Sequence, residues 1–176
     1  MHAYGVVTEH GTVHLEHRLP GPIERVWDYL TDSEKRGQWL ASGYMDLRPG
    51  GLVELKFHHA DLSSEKTTPE RYKDQEGETF KGTITGCEPP RLLSYTWGDD
   101  DGESSEVTFE LKPDGDEVLL AVTHRHLPNH QAIISVVSGW DTHVGILEDI
   151  LKGNEPRPFW STQAHLEQEY ATRLRV

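Results

Sequence analysis

Residues 117–151 read EVLLAVTHRHLPNHQAIISVVSGWDTHVGILEDIL, and the spacing of their apolar side chains changes at Pro128. Before Pro128, Val118, Leu120 and Val122 alternate with their neighbours, the period-2 pattern of a strand with one covered face, expected over Glu117 to His126. Beyond it, Ile133, Val136 or Val137, Trp140, Val144, Leu147 and Leu151 recur about every 3.6 residues. That spacing predicts a long amphipathic helix over Ile133 to Leu151. Gly153 suits its C-terminal cap, and Pro156 and Pro158 forbid immediate continuation. A last helix is expected over about residues 161–174, with Ala164, Tyr170 and Leu174 as its apolar positions.

Upstream, the chain reads as antiparallel β. Strands are expected over Thr79 to Glu88, Arg91 to Trp97 and Ser104 to Lys112, separated by Pro89-Pro90 and by the acidic Asp99-Asp100-Asp101-Gly102, with a Pro113-Asp114-Gly115 turn before the last strand. A hairpin is expected from Tyr44–Leu47 and Leu52–His58 around Pro49-Gly50-Gly51, with Val53, Leu55 and Phe57 on one face. Residues 60–78 are polar and mixed in charge, and are expected to form a long loop. The first strand carries Val13, Leu15, His17 and Leu19 on one face. Pro20-Gly21-Pro22 ends it, and two short helices follow: one with Ile23, Val26, Trp27 and Leu30 on a side, and one from Asp32 to about Trp39, where Thr31 and Glu34 have capping-box spacing.

This order is α+β: a curved antiparallel sheet of about six or seven strands must bury its concave face on the one long helix, a helix-grip arrangement. A strongly bent sheet around one helix leaves an apolar pocket, the usual kind of ligand site. The 176 residues suit a single domain, residues 1–176. Seventeen Lys and Arg against thirty Asp and Glu give a net charge of −13, which disfavours nucleic acid and anionic bilayers as partners. No apolar run approaches the ~20 residues that span a bilayer, and the start of the chain lacks a signal-peptide pattern, so a cytoplasmic location without membrane insertion is expected. Cys87, the single cysteine, fits a reducing compartment.

A set of motifs in order carries a family resemblance: Val26-Trp27-Asp28-Tyr29-Leu30-Thr31-Asp32 with Trp39, Asp46-Leu47-Arg48-Pro49-Gly50-Gly51, Gly82, Glu88-Pro89-Pro90-Arg91-Leu92, Val107-Thr108-Phe109-Glu110-Leu111, Thr123-His124 and Gly139-Trp140-Asp141. Over roughly residues 13–152 the chain resembles the bacterial proteins similar to the activator of the ninety-kilodalton heat-shock-protein ATPase, within the START and birch-pollen-allergen-like superfamily. The resemblance implies a helix-grip fold with a lipophilic cavity between sheet and long helix. Members of that superfamily bind lipids, hormones or polyketides, and a few cyclise or hydrolyse them. The expected function is therefore binding of a small apolar molecule without catalysis. A polyketide cyclase or hydrolase-like enzyme is the second reading, and a co-chaperone-like contact with a heat-shock ATPase the third.

Strand parity selects the candidate ligand-binding residues. His17 shares parity with Leu15 and Leu19, and His124 with Val118, Leu120 and Val122, so both imidazoles should face inward, near one another if the first and last strands pair. Tyr95 and Trp97 share parity with Leu93, while Phe57, Phe109 and Trp140 complete the set. Asp141, beside Trp140, is expected to be solvated or to partner a strand residue. His124-x-His126 with His130, and His58-His59-x-Asp61, resemble metal-ligand spacings, but the chain has no Cys pair and no HExxH. No metal, no cofactor and no catalytic residue are expected, since a GxSxG elbow is also lacking. A homodimer is the expected assembly, symmetric pairs being the commonest oligomers.

Overall fold

The computed structural model describes residues 4–59, 62–64, 79–97 and 105–174. Seven strands, β1 (Val6–Glu9), β2 (Thr12–Pro20), β3 (Leu52–Lys56), β4 (Thr79–Glu88), β5 (Leu92–Trp97), β6 (Ser105–Asp114) and β7 (Glu117–Arg125), form one curved antiparallel sheet in the order β1-β2-β7-β6-β5-β4-β3. Two short helices, α1 (Ile23–Thr31) and α2 (Ser33–Arg36), lie between β2 and β3, and α3 (His130–Leu151) and α4 (Phe159–Arg173) close the chain.

The α+β helix-grip expectation holds, because the alternating apolar residues of β2, β6 and β7 meet the Val137, Trp140, Val144 and Leu147 stripe of α3. The Asn129 side chain caps α3 by accepting from the Ala132 N–H, and Gly153 follows its end at φ +77°. Burial on α3 exceeds one stripe. Ser138, Asp141, Thr142 and His143 are buried as well, since α4 packs on the helix through Phe159, Trp160, Leu166 and Tyr170.

Three local expectations need correction. The N-cap of α2 is Asp32, whose carboxylate accepts from the Lys35 N–H at 3.0 Å; Thr31 instead bonds back to the Trp27 carbonyl within α1. Tyr44–Leu47 forms no strand, and Ser42 and Met45 meet β3 only as isolated bridges to Lys56 and Val53. The bend comes from Gly43, at φ +131°, where a Cβ would collide with the Glu54 carbonyl. Finally, β1 precedes the strand expected to come first; its four residues are all exposed and show no alternation. Most of the expected 60–78 loop and the Asp99–Gly102 turn lie outside the described residues. Of the loop, Leu62 and Ser63 are described and are buried, and the Ser63 hydroxyl accepts from the Phe159 N–H that opens α4.

Arg36 fixes the 37–45 segment against the core. It is 1% exposed, and its guanidinium donates to the carbonyls of Ala41 at 2.9 Å, Thr31 at 3.1 Å and Gly43 at 2.6 Å. Trp39 is held in turn by its indole N–H on the Tyr29 carbonyl at 2.7 Å. Both anchors set one wall of the cavity described next.

Candidate ligand cavity

Between α3 and the β3–β5 side of the sheet lies a cavity of about 290 Å³, at the small end of the range for ligand pockets. Its walls are mainly rings. Phe57 sits edge-on to Phe80 at 5.4 Å and to Trp97 at 5.8 Å, and Trp97 meets Trp140 edge-to-face at 5.3 Å. Phe159, the first residue of α4, stacks on His59 at 4.8 Å and lies 5.0 Å from His143. Leu40, Val136, Gly139, Ser135 and Gln163 complete the lining, together with His124. No Lys, Arg, Asp or Glu is among these described lining residues.

Three polar groups in the wall have defined hydrogen-bond partners. The Trp140 indole N–H donates to His124 Nδ1 at 2.9 Å, so that nitrogen must be the acceptor and the proton of the neutral ring sits on Nε2, facing the Ser105 hydroxyl at 2.6 Å. Burial drives the His124 pKa down to about 3. With both nitrogens engaged, His124 holds Trp140 in place and offers the cavity its ring rather than a free polar atom. His143 differs. Its Nδ1 lies 2.7 Å from the Trp39 carbonyl, which can only accept, so Nδ1 carries the proton and Nε2 keeps its lone pair. Burial first, then neighbouring His59, takes the His143 pKa to about 3 against the favourable carbonyl bond. The Gln163 amide is engaged at both ends, accepting from Thr142 and donating to Glu167.

Of the seven residues expected from the sequence, Phe57, Trp97, His124 and Trp140 line this cavity. Tyr95 and Phe109 face inward as expected but are fully buried behind Trp97 and Trp140, at ring distances of 6.4 and 5.3 Å, and do not reach it. His17 is not in it either. The register pairs His17 with Leu120 and His124 with Val13, so the two histidines share a face but stand four ladder positions apart, roughly 13 Å along the strand. The expectation that they sit together is overturned.

His17 belongs to a second polar cluster further along α3. Its Nε2 is 3.2 Å from Asp141 and its Nδ1 3.8 Å from Glu148. Burial opposes the His17 charge, but the bonds to the two carboxylates outweigh it and raise its pKa. Glu148 is correspondingly lowered to about 2, chiefly by His17. Asp141 also accepts from the Tyr170 hydroxyl at 2.6 Å, and that hydroxyl accepts from the Gly5 N–H at 2.7 Å. The cluster ties β2, α3, α4 and the start of the chain together, and it makes Asp141 the partner of a strand residue.

The sequence reading missed His143 and His59. The signal for His143 was its position three residues after Trp140 and four before Leu147, on the same helix face. The His124-x-His126 spacing does not converge, because His124 is buried whereas His126 is exposed beyond the end of β7 at φ +66°; Asp61 of the other spacing lies outside the described residues. Among the described residues no group of three or more His, Cys, Asp or Glu side chains could hold a metal ion. No helix there is long and apolar enough to cross a membrane.

The pattern of the family described as Activator of Hsp90 ATPase homolog 1-like protein matches residues 20–152. A Bordetella parapertussis protein solved in solution is 42% identical, with 98% of this chain and 91% of that chain covered and a TM-score of 0.81. The crystal structure of CalU16 from Micromonospora echinospora is 22% identical, covers 99% of this chain and 97% of its own, and superposes with a TM-score of 0.70. DynU16, from the dynemicin biosynthetic locus, is 19% identical over 84% of this chain and 49% of its own, with a TM-score of 0.66. The last two likenesses show the fold. No curated protein matches the sequence. The chain belongs to the Activator of Hsp90 ATPase homolog 1-like family.

Proposed function

We propose that this family member is a binding protein that holds a small, neutral, largely apolar molecule in the cavity between α3 and the sheet and leaves it chemically unchanged. The observation that carries this reading is the lining: five aromatic rings, from Phe57, Phe80, Trp97, Trp140 and Phe159, around a space free of charged described residues. Burial of an apolar guest against such walls is favourable at roughly 25 cal/mol per Å² removed from water. The likeness to DynU16, a protein of the dynemicin biosynthetic locus, is in keeping with a small-molecule guest. A cytoplasmic location and a homodimer remain part of the proposal, as does the absence of a nucleic-acid partner.

Native mass spectrometry of the purified protein, followed by solvent extraction, tests it. The expected result is an adduct of small-molecule mass that leaves on denaturation and rebinds intact. A chemically altered product on re-addition would instead favour the cyclase or hydrolase-like enzyme. Gly139→Leu supplies a second test. Gly139 lines the cavity, and a Cβ there meets nothing within 4 Å, so a larger side chain has room at its root and extends into the guest's space. Replacing a helical Gly also favours the helix by up to about 1 kcal/mol. Gly139→Leu should therefore melt no lower than wild type while its affinity for naphthalene, measured by calorimetry, falls at least about tenfold. Unchanged affinity would place the guest elsewhere.

A further inference from the structure

We propose that His143 selects the guest of this cavity, admitting neutral arenes that carry one O–H or N–H donor and disfavouring both charged molecules and arenes without a donor. The inference rests on the binding reading above and names the ligand class of that same cavity.

The Trp39 carbonyl accepts from the Nδ1–H of His143, so Nε2 is a hydrogen-bond acceptor on a wall built mainly from rings. Of the other polar side chains in the lining, His124 is engaged by Trp140 and Ser105 and Gln163 by Thr142 and Glu167, while the Ser135 hydroxyl and the His59 ring also border the space. The His143 tautomer is imposed by the backbone, because Trp39 is itself fixed by its indole on Tyr29 and by the Arg36 anchor on the adjoining Ala41 carbonyl. The acceptor is thus pre-oriented, and a donor on the guest meets it without rearrangement of the site.

Charge narrows the class. An ammonium or guanidinium in this space would find no carboxylate among the described lining residues, and a carboxylate or phosphate would find no Lys or Arg. Either ion would lose its hydration without a compensating partner among those residues, a cost far larger than one hydrogen bond returns. A carboxylate would also face the lone pair of a neutral imidazole whose protonation is opposed by burial. What fits is a neutral donor. Conversely, an arene without a donor would desolvate Nε2 and leave it unmet, which costs more than the mean value of the bond itself. Shape follows from the walls and the volume of about 290 Å³, which suit one or two fused planar rings lying among Phe57, Trp97 and Phe159.

Calorimetric titration with naphthalene, β-naphthol and the methyl ether of β-naphthol tests the inference, since the three share a ring system and differ in the donor. The expected order places the naphthol about five- to tenfold tighter than either companion. His143→Asn is the matched variant, because its amide N–H₂ can keep the Nδ1 bond to the Trp39 carbonyl while the Nε2 acceptor is gone. In that variant the naphthol advantage should collapse toward one, with naphthalene bound at least as tightly as by wild type, since no unmet acceptor remains. Equal affinity for all three in the wild type would overturn the selection by His143 and leave the cavity reading standing. A naphthol advantage that persists in a folded His143→Asn would assign the acceptor to another group and overturn it as well. If none of the three binds, the cavity reading falls and this inference with it. The wild-type comparison decides the matter even if the variant fails to fold.

Discussion

Trp140→Ala should unfold at a markedly lower denaturant concentration than wild type, with a loss of about 3–5 kcal/mol, a large share of the stability of a domain this size. The indole is 3% exposed and packs edge-to-face against both Phe109 and Trp97, each at 5.3 Å, so its removal opens the centre of the contact between α3 and the sheet. A second cost comes from chemistry. The Trp140 N–H is the donor to His124 Nδ1, and without it a buried acceptor is left unmet, at about 1–3 kcal/mol. Trp140→Phe separates the two contributions, since it keeps most of the ring volume and loses the N–H. Its midpoint should fall between those of wild type and Trp140→Ala. An unchanged midpoint in the alanine variant would refute the placement of this helix.

The same residue shows what the sequence could reveal and where it stopped. Trp140 was legible because α3 has a 3.6-residue apolar stripe, and β2, β6 and β7 were legible because their alternation reports one covered face. Parity, however, gives the face of a strand and not the depth beneath it. Tyr95 and Phe109 satisfy parity as well as Trp97 does, yet they lie behind the Trp97 and Trp140 rings rather than at the cavity. His17 satisfies parity too, but its ladder position places it against Asp141 and Glu148, well along the sheet from His124. Register over that distance depends on which strands pair, which periodicity does not encode. His143 was hidden for a different reason. A single-stripe reading of α3 treats the flank of the stripe as solvated, whereas α4 covers that flank and buries Asp141, Thr142 and His143 together. β1, short and wholly exposed, carries no pattern to read.

Lowering the pH from 7 to 5 should reduce stability by roughly 3–4 kcal/mol, and the two buried histidines are the cause. His124 and His143 both have folded pKa values of about 3, His124 through burial and His143 through burial with the added effect of His59. In the unfolded chain both titrate near 6.5. Below that value the unfolded state takes up two protons that the folded state refuses, so stability is present above pH 6.5 and is lost steadily as the pH falls toward 3, at a little over ~1 kcal/mol per unit for each ring. Protonation in the folded state is also opposed by geometry, because a proton on His124 Nδ1 would displace the Trp140 N–H and break the bond that seats the indole. His17 has the opposite sign. Its pKa is raised by Asp141 and Glu148 over the opposing effect of burial, so its contribution is fully present below 6.5 and is lost as the pH climbs through the raised value. Glu148, lowered to about 2 chiefly by His17, contributes above about 4.5 and is lost only as the pH falls toward 2. Near the middle of the pH range between 4.5 and 6.5 neither of these groups adds much slope, and the two neutral histidines stand out. Denaturant melts at pH 5, 6, 7 and 8 should show the midpoint highest near neutrality and falling steeply on the acid side. His143→Asn, which keeps the Trp39 bond and removes one titrating ring, should halve the acid slope whatever its stability at pH 7. A wild-type profile flat between pH 7 and 5 would mean that both imidazoles reach water, and would remove the neutral wall on which the cavity's preference for uncharged guests depends.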